Sequence, residues 1–172
     1  SGLPILGTGH YNVPESVVVA GPQQDYYGNN SSAYTFLTQV AEVIIDPDTG
    51  KVDVTDFWAA VDIGRAINPK ACEGQMEGGI GMGMGYALSE EYQFDRGVLL
   101  NPNFTDYKIP TASVMPRVHT SFLETGDSLT VYGAKSIGEA VINPVAPAVA
   151  NAVYDAIGIR IRDLPITPWK IK

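Results

Sequence analysis

The segment YGAKSIGEAVINPVAPAVANAV, residues 132–153, places a single carboxylate, Glu139, between a run of small residues and the start of an apolar helix. Gly133, Ala134, Lys135, Ser136, Ile137 and Gly138 lead up to it. Asn143 has the character of a helix N-cap and Pro144 that of a first helical residue. Val145, Val149, Val153 and Ile157 then recur on one helical face until Gly158 stops the helix. Glu139 is therefore expected on the approach to a helix N-terminus. A lone glutamate there is either a proton acceptor for a group brought to it or a solvated, dipole-facing acid. Its own neighbours leave both readings open.

A second stretch with chemical potential is INPKACEGQMEGGIGMGMGYALSEEY. Asn68-Pro69 repeats the cap-then-proline helix start. Glycines 74, 78, 79, 81, 83 and 85 then interrupt an otherwise good helix. Each costs about 0.5–1 kcal/mol relative to alanine. Two arrangements offset that cost: a second helix packed backbone to backbone, or a flat ligand lying against the bare surface. Lys70, Glu73, Glu77, Glu90 and Glu91 bracket too short a stretch for a membrane helix of the Gly-x-x-x-Gly type. The alternating glycines also lack the strand-to-helix context of a dinucleotide fingerprint. His10 lies in a glycine loop and His119 in a strand pattern, so no protein-ligated metal site is assigned.

These residues need elements to hold them. YTFLTQVAEVIIDPDTGKVDVTDFWAAVDIG reads as strands at about 34–45 and 51–62, joined by the turn Asp46-Pro47-Asp48-Thr49-Gly50. Val52 and Val54 alternate with Asp53 and Thr55, and FWAAV reads as buried on both faces. Pro110 and Pro116 break a loop before a strand at about 117–124, in which His119 is expected at the surface. IRIRDLP, residues 159–165, reads as a short closing strand and ITPWKIK as a tail. The expected fold is α+β, with a mixed or antiparallel sheet and two main helices. Residues 1–33 read as an extended arm and 34–172 as the domain.

At 172 residues the chain can bury one core. A net charge of −8 with no basic run argues against nucleic acid and anionic membrane surfaces. No apolar stretch reaches the ~20 residues of a membrane span. One cysteine, Cys72, excludes an internal disulfide framework or a cysteine-ligated cluster and agrees with a reducing cytoplasm. SGLPILGTGHYNVPE has neither the basic nor the apolar region of a secretory signal. It also lacks an initiator Met, as expected of a processed or excised chain.

In order, TQVAEVIIDPDTGKV, VDIGRAINPKACEGQMEGGIGMGMGYALSEE, NPNFTDYKIPTASVMP and YGAKSIGEAVINPVAPAVANAVYDAIGIRIRDLPITPWKI resemble the C-terminal part of the molybdenum-binding subunit of the xanthine oxidase and aldehyde oxidoreductase family. The resemblance covers roughly residues 34–172 and extends to GTGHYNVPES. It implies a molybdopterin-binding domain in which Glu139 is the catalytic general base of oxidative hydroxylation. Gly74 and Gln75 match the pair whose glutamine touches the pterin, and Ala134, Lys135, Ser136 and Ile137 match the loop lining the molybdenum pocket. Ala140 stands where the family usually has proline. The implied cofactor is molybdenum–molybdopterin, its cytosine dinucleotide form among the options, shared with segments outside this chain. Iron–sulfur clusters, with or without FAD, would reside on other domains or chains. The implied partners are the remainder of the molybdenum subunit, an iron–sulfur subunit or domain, a flavin subunit where one exists, and a small-molecule substrate. Two other readings remain: a catalytically silent cofactor-binding or scaffold domain, and an unrelated small-ligand binder.

Overall fold

The computed structural model describes residues 6–12 and 31–172. Most of the arm expected at 1–33 lies outside the described residues. Residues 6–12 carry no regular structure, and the Tyr11 hydroxyl donates to the Leu129 carbonyl.

Strand β1 spans Phe36–Ile45 and pairs antiparallel with β2, Val52–Asp62. The turn between them uses the sequence expected of it. Asp46 accepts from the amides of Asp48 and Thr49 at 2.8 and 3.2 Å, and Gly50 adopts φ +75°. Two short strands, β3 at Phe94–Asp95 and β4 at Val98–Leu99, form a separate hairpin. Strand β5, Arg117–Leu123, returns to pair parallel with β2, giving a mixed sheet of order β1-β2-β5. Such a parallel return requires a crossover, and helix α1, Pro69–Leu88, lies within it.

Strand β2 does not have two buried faces. Glu42 faces Asp56 and Val43 faces Val54, so Thr55 is an extra residue on β2, a β-bulge. The bulge exchanges the two faces. Before it Val54 points to the core; after it Phe57, Ala59 and Val61 do. Trp58, 41% exposed, and Ala60 lie on the outer face, which corrects the expectation for FWAAV. On that face His119 stacks on Trp58 at 5.1 Å and meets Asp56 at 2.9 Å, so it is a partnered strand histidine.

Helix α1 begins as read: Asn68 caps by accepting from the Ala71 amide at 3.1 Å, and Pro69 follows. Met76, Ile80, Met84 and Ala87 face the core. Helix α2, Val145–Ile157, buries Val145, Val149 and Val153 beside them and ends at Gly158 in the left-handed conformation. Its start differs from the expectation. Asn143 is helical and makes no cap; Pro144 occupies the cap position, after a 3₁₀ turn at Ala140–Ile142. That turn has already set a helical direction, so an N-cap in extended geometry is not needed at Asn143.

Residues 159–165 form no strand, contrary to the reading of IRIRDLP. The chain instead folds back on α2. Arg160 lies over the Tyr154 ring at 3.8 Å and donates to Asn151 at 2.6 Å. The Ile166 amide then bonds the Ala87 carbonyl at 2.6 Å, and a final helical turn, α3 at Pro168–Ile171, buries Ile171. Side-chain contacts to a helix have replaced sheet pairing for this segment.

Two of the glycines of α1 serve close packing against another element, and two leave the helix surface open. A Cβ on Gly79 would lie 2.8 Å from Val141, and one on Gly83 would lie 2.4 Å from the Cβ of Val145. These two admit α2 and the turn before it. At Gly74 and Gly78 a Cβ would meet nothing within 4 Å. Gly83→Ala is accordingly expected to destabilise the fold by about 1–3 kcal/mol through overpacking. Gly74→Ala is expected to stabilise it by up to about 1 kcal/mol through helix propensity. Chemical denaturation of both variants checks the opposite signs.

Candidate functional site

The open side of α1 and the turn before α2 enclose a cleft of about 720 Å³. Gly74, Gln75 and Gly78 line it from the helix; Gly138, Glu139 and Asn143 line it from the facing segment. Met82 and Ile142 add apolar wall. Gln75 and Glu139 are both exposed. The structure thus brings together three of the residues singled out in sequence, Gly74, Gln75 and Glu139, from positions more than sixty residues apart. A Cβ on Gly138 would approach the Gln75 side-chain oxygen to 3.9 Å, so the two walls come close at this point.

Glu139 sits at the head of the 3₁₀ turn Ala140–Ile142 with φ −81° and ψ −26°. It makes no capping bond with its side chain. Its backbone geometry is helical, which a following proline would disfavour and Ala140 permits. Val141, buried beside Gly79, fixes the turn from below, and the Gln39 side chain donates to the Val141 carbonyl at 2.9 Å.

The loop before Glu139 is divided differently from its sequence reading. Ala134, Lys135 and Ile137 border a smaller neighbouring cleft of about 250 Å³, and Gln75 lines both clefts. Ser136 lines neither of these two clefts, and its carbonyl accepts from the Thr35 hydroxyl at 2.6 Å. The Lys135 ammonium bonds Asp62 at 2.7 Å, the two side chains being 9% and 13% exposed. Asp62, at the end of β2, also accepts from the Gly64 amide at 3.0 Å and the Thr125 hydroxyl at 2.8 Å. The Lys135 side-chain bond, then the Gly64 amide and the Thr125 hydroxyl, lower the Asp62 carboxyl from 3.8 to about 2.

Sequence reasoning did not find Asp62, Met82 or Ile142. Asp62 lies far from Lys135 in the chain, and nothing in VDIG marks it as an ion-pair partner. Met82 and Ile142 carry ordinary apolar signals. Among the described residues, no three His, Cys, Asp or Glu side chains converge on a metal-sized site.

Residues 2–116 match the family model described as the molybdopterin cofactor-binding domain. The chain belongs to that family. The matched residues include Gly74 and Gln75 and end before Glu139. A xanthine dehydrogenase molybdenum-binding subunit of Escherichia coli O157:H7 is 42% identical over 132 residues, covering 76% of this chain and 18% of the relative. The aldehyde oxidoreductase molybdenum-binding subunit PaoC of Escherichia coli K12 is 38% identical over 151 residues, covering 84% and 21% respectively. Among solved structures, quinoline 2-oxidoreductase from Pseudomonas putida 86 superposes with a TM-score of 0.71 at 38% identity, covering 75% of this chain and 17% of that one. Reconstituted CO dehydrogenase from Oligotropha carboxidovorans gives 0.75 at 31% identity, covering 85% and 19%. This molybdopterin-binding domain therefore spans about a fifth of the length of these relatives. Its α+β architecture with a mixed sheet is that of these molybdenum enzymes' domains.

The Asp62 arrangement predicts a definite acid response. Because the folded-state carboxyl titrates near 2 rather than at 3.8, its stabilising contribution is complete above about pH 4 and is lost as pH falls toward 2. Asp62→Asn should lower stability at neutral pH and remove this component of the acid limb. Unfolding curves recorded across that interval for both proteins test it.

Proposed function

We propose that this chain is the segment of a molybdenum hydroxylase that holds part of the molybdenum–molybdopterin cofactor and supplies, through Glu139, the general base for oxidative hydroxylation of an aldehyde or an N-heterocycle. The observation that carries the reading is the meeting of the Gly74-Gln75 pair and Glu139 in one cleft. The donors and shapes present suit such a cofactor. Nothing within 4 Å covers the Cβ positions of Gly74 and Gly78, so bare helix backbone faces the cleft and a flat ring system can lie close to it. The exposed Gln75 amide offers a donor and an acceptor to the edge of a pterin. Ala134 and Lys135 flank Gln75 on its other side and would border the same group.

When bound, the cofactor supplies the redox chemistry and lowers the proton affinity of the attacking oxygen. The chain's own residues do the rest of the local work. Glu139 accepts the proton, a role for which a carboxylate positioned within hydrogen-bond reach is suited. Gly138, Met82 and Ile142 leave an apolar space in which a ring or an aldehyde carbon can stand beside the acid. Electrons leave by groups held elsewhere, because one cysteine cannot hold an iron–sulfur cluster. The reading therefore includes the remainder of the molybdenum subunit, an iron–sulfur domain or subunit and, where present, a flavin subunit, in the cytoplasm. The relatives' names, a xanthine dehydrogenase and an aldehyde oxidoreductase among them, support this assembly.

In the assembled enzyme, Glu139→Gln should lower turnover at least ~10²-fold while retaining molybdenum and fold. Rapid-mixing measurement of reduction by substrate, with metal content determined on the same sample, gives the answer; full metal with a near-normal rate would end the assignment. Gln75→Ala should reduce cofactor occupancy and leave domain stability nearly unchanged. A large loss of stability at normal occupancy would return Gln75 to a structural role.

A further inference from the structure

Glu139 has no side-chain cap bond of its own, so its position depends on how the main chain on either side is held. On the C-terminal side the anchor is Val141 in the notch at Gly79. On the N-terminal side three ties join the loop to the end of β2 within three residues. The Lys135 amide donates to the Ile63 carbonyl at 2.8 Å, and its ammonium meets Asp62 at 2.7 Å. Gly64, at φ +65°, sits so close that a Cβ there would lie 2.1 Å from the Gly133 carbonyl oxygen and 3.0 Å from the Lys135 side chain. The backbone bond and the close approach fix where the loop starts; the ion pair fixes the direction in which it leaves.

The placement of the ion pair is unusual for a surface contact. Both side chains are nine-tenths buried or nearly so, and Asp62 is fully engaged by Lys135, Gly64 and Thr125. A pair in this setting contributes little by mere attraction, because desolvation offsets it, but removing one partner leaves a charge buried and alone. Such a pair acts as a registration device. It holds Lys135 four residues before Glu139.

We infer that Lys135 is a positioning residue, its ammonium clamping the Glu139 segment to the end of β2 through Asp62 and not itself contacting cofactor or substrate. The inference rests on the general-base reading of Glu139 and deepens it. It assigns the charge of Lys135 to geometry, its ammonium being held by Asp62. A shift of the order of 1 Å in a catalytic group can cost about 10²-fold in rate. Loss of the clamp should therefore appear in kcat.

The test uses the assembled enzyme and the variants Lys135→Met, Glu139→Gln and their combination, each with molybdenum content measured. Lys135→Met should lower kcat per bound metal at least about tenfold, with KM and metal content within about twofold. Added to Glu139→Gln it should cause no further loss, because the group it positions is already gone. Loss of molybdenum with unchanged kcat per metal would make Lys135 a cofactor contact and overturn the inference; so would an additive loss in the combined variant. A normal rate in Glu139→Gln alone would remove the general-base reading and this inference with it. That result is distinguishable because it is read in a variant with Lys135 intact. Should Lys135→Met fail to fold, Asp62→Asn combined with Lys135→Met leaves no lone charge and is expected to show the same kcat loss. A normal kcat in that double variant would overturn the inference.

Discussion

The close approach of α1 to the segment carrying Val141 and Val145 is the constraint on which the remaining geometry depends. Gly79 and Gly83 remove two side chains from one face of a twenty-residue helix, and the valines of the other element fill the space. Without that contact, Val141 would have no notch, the 3₁₀ turn would have no floor, and the distance from Gln75 to Glu139 would not be set. The cleft is the residual space on the same helix where glycine is present and no partner arrives. One glycine-rich sequence thus produces both a packed side and an open one.

The hairpin, the strand after Pro116, the capped start of α1 and the valine stripe of α2 were legible because each rests on local chemistry: a turn sequence, a cap, a period. The meeting of Gly74-Gln75 with Glu139 came from resemblance, since no local rule relates residues that far apart. FWAAV looked doubly buried because a bulge at Thr55 cannot be seen in a run of apolar letters. IRIRDLP alternated like a strand, but Tyr154 and Asn151 offered Arg160 better contacts than a sheet edge did. Asn143 had the right type for a cap, and a 3₁₀ turn placed ahead of it made the cap unnecessary. A tertiary neighbour overrode the local pattern at IRIRDLP, and a backbone irregularity next to the misread residues did so at FWAAV and Asn143. The role of Lys135 was hidden as the fate of IRIRDLP was, because its partner, Asp62, lies on another element.

Phe36, Val40, Ile44 and Trp58 are exposed on the outer sheet face, and Phe94 in the small hairpin and Phe104 after it are exposed as well. Exposed apolar side chains clustered on one face in this way mark a contact surface. It agrees with a chain that spans about a fifth of the length of its relatives.

The bulge at Thr55 also gives β2 two reading frames for its inward residues, even-numbered before it and odd-numbered after it. The frames are joined at a single residue. Removing Thr55 would merge the frames into one unbroken alternation with Val54, Phe57, Ala59 and Val61 all still inward, whereas a residue lost between Phe57 and Val61 would turn those beyond it to the other face. Strand β2 can therefore lose a residue at the bulge without changing which side chains face the core, and cannot within residues 57–61.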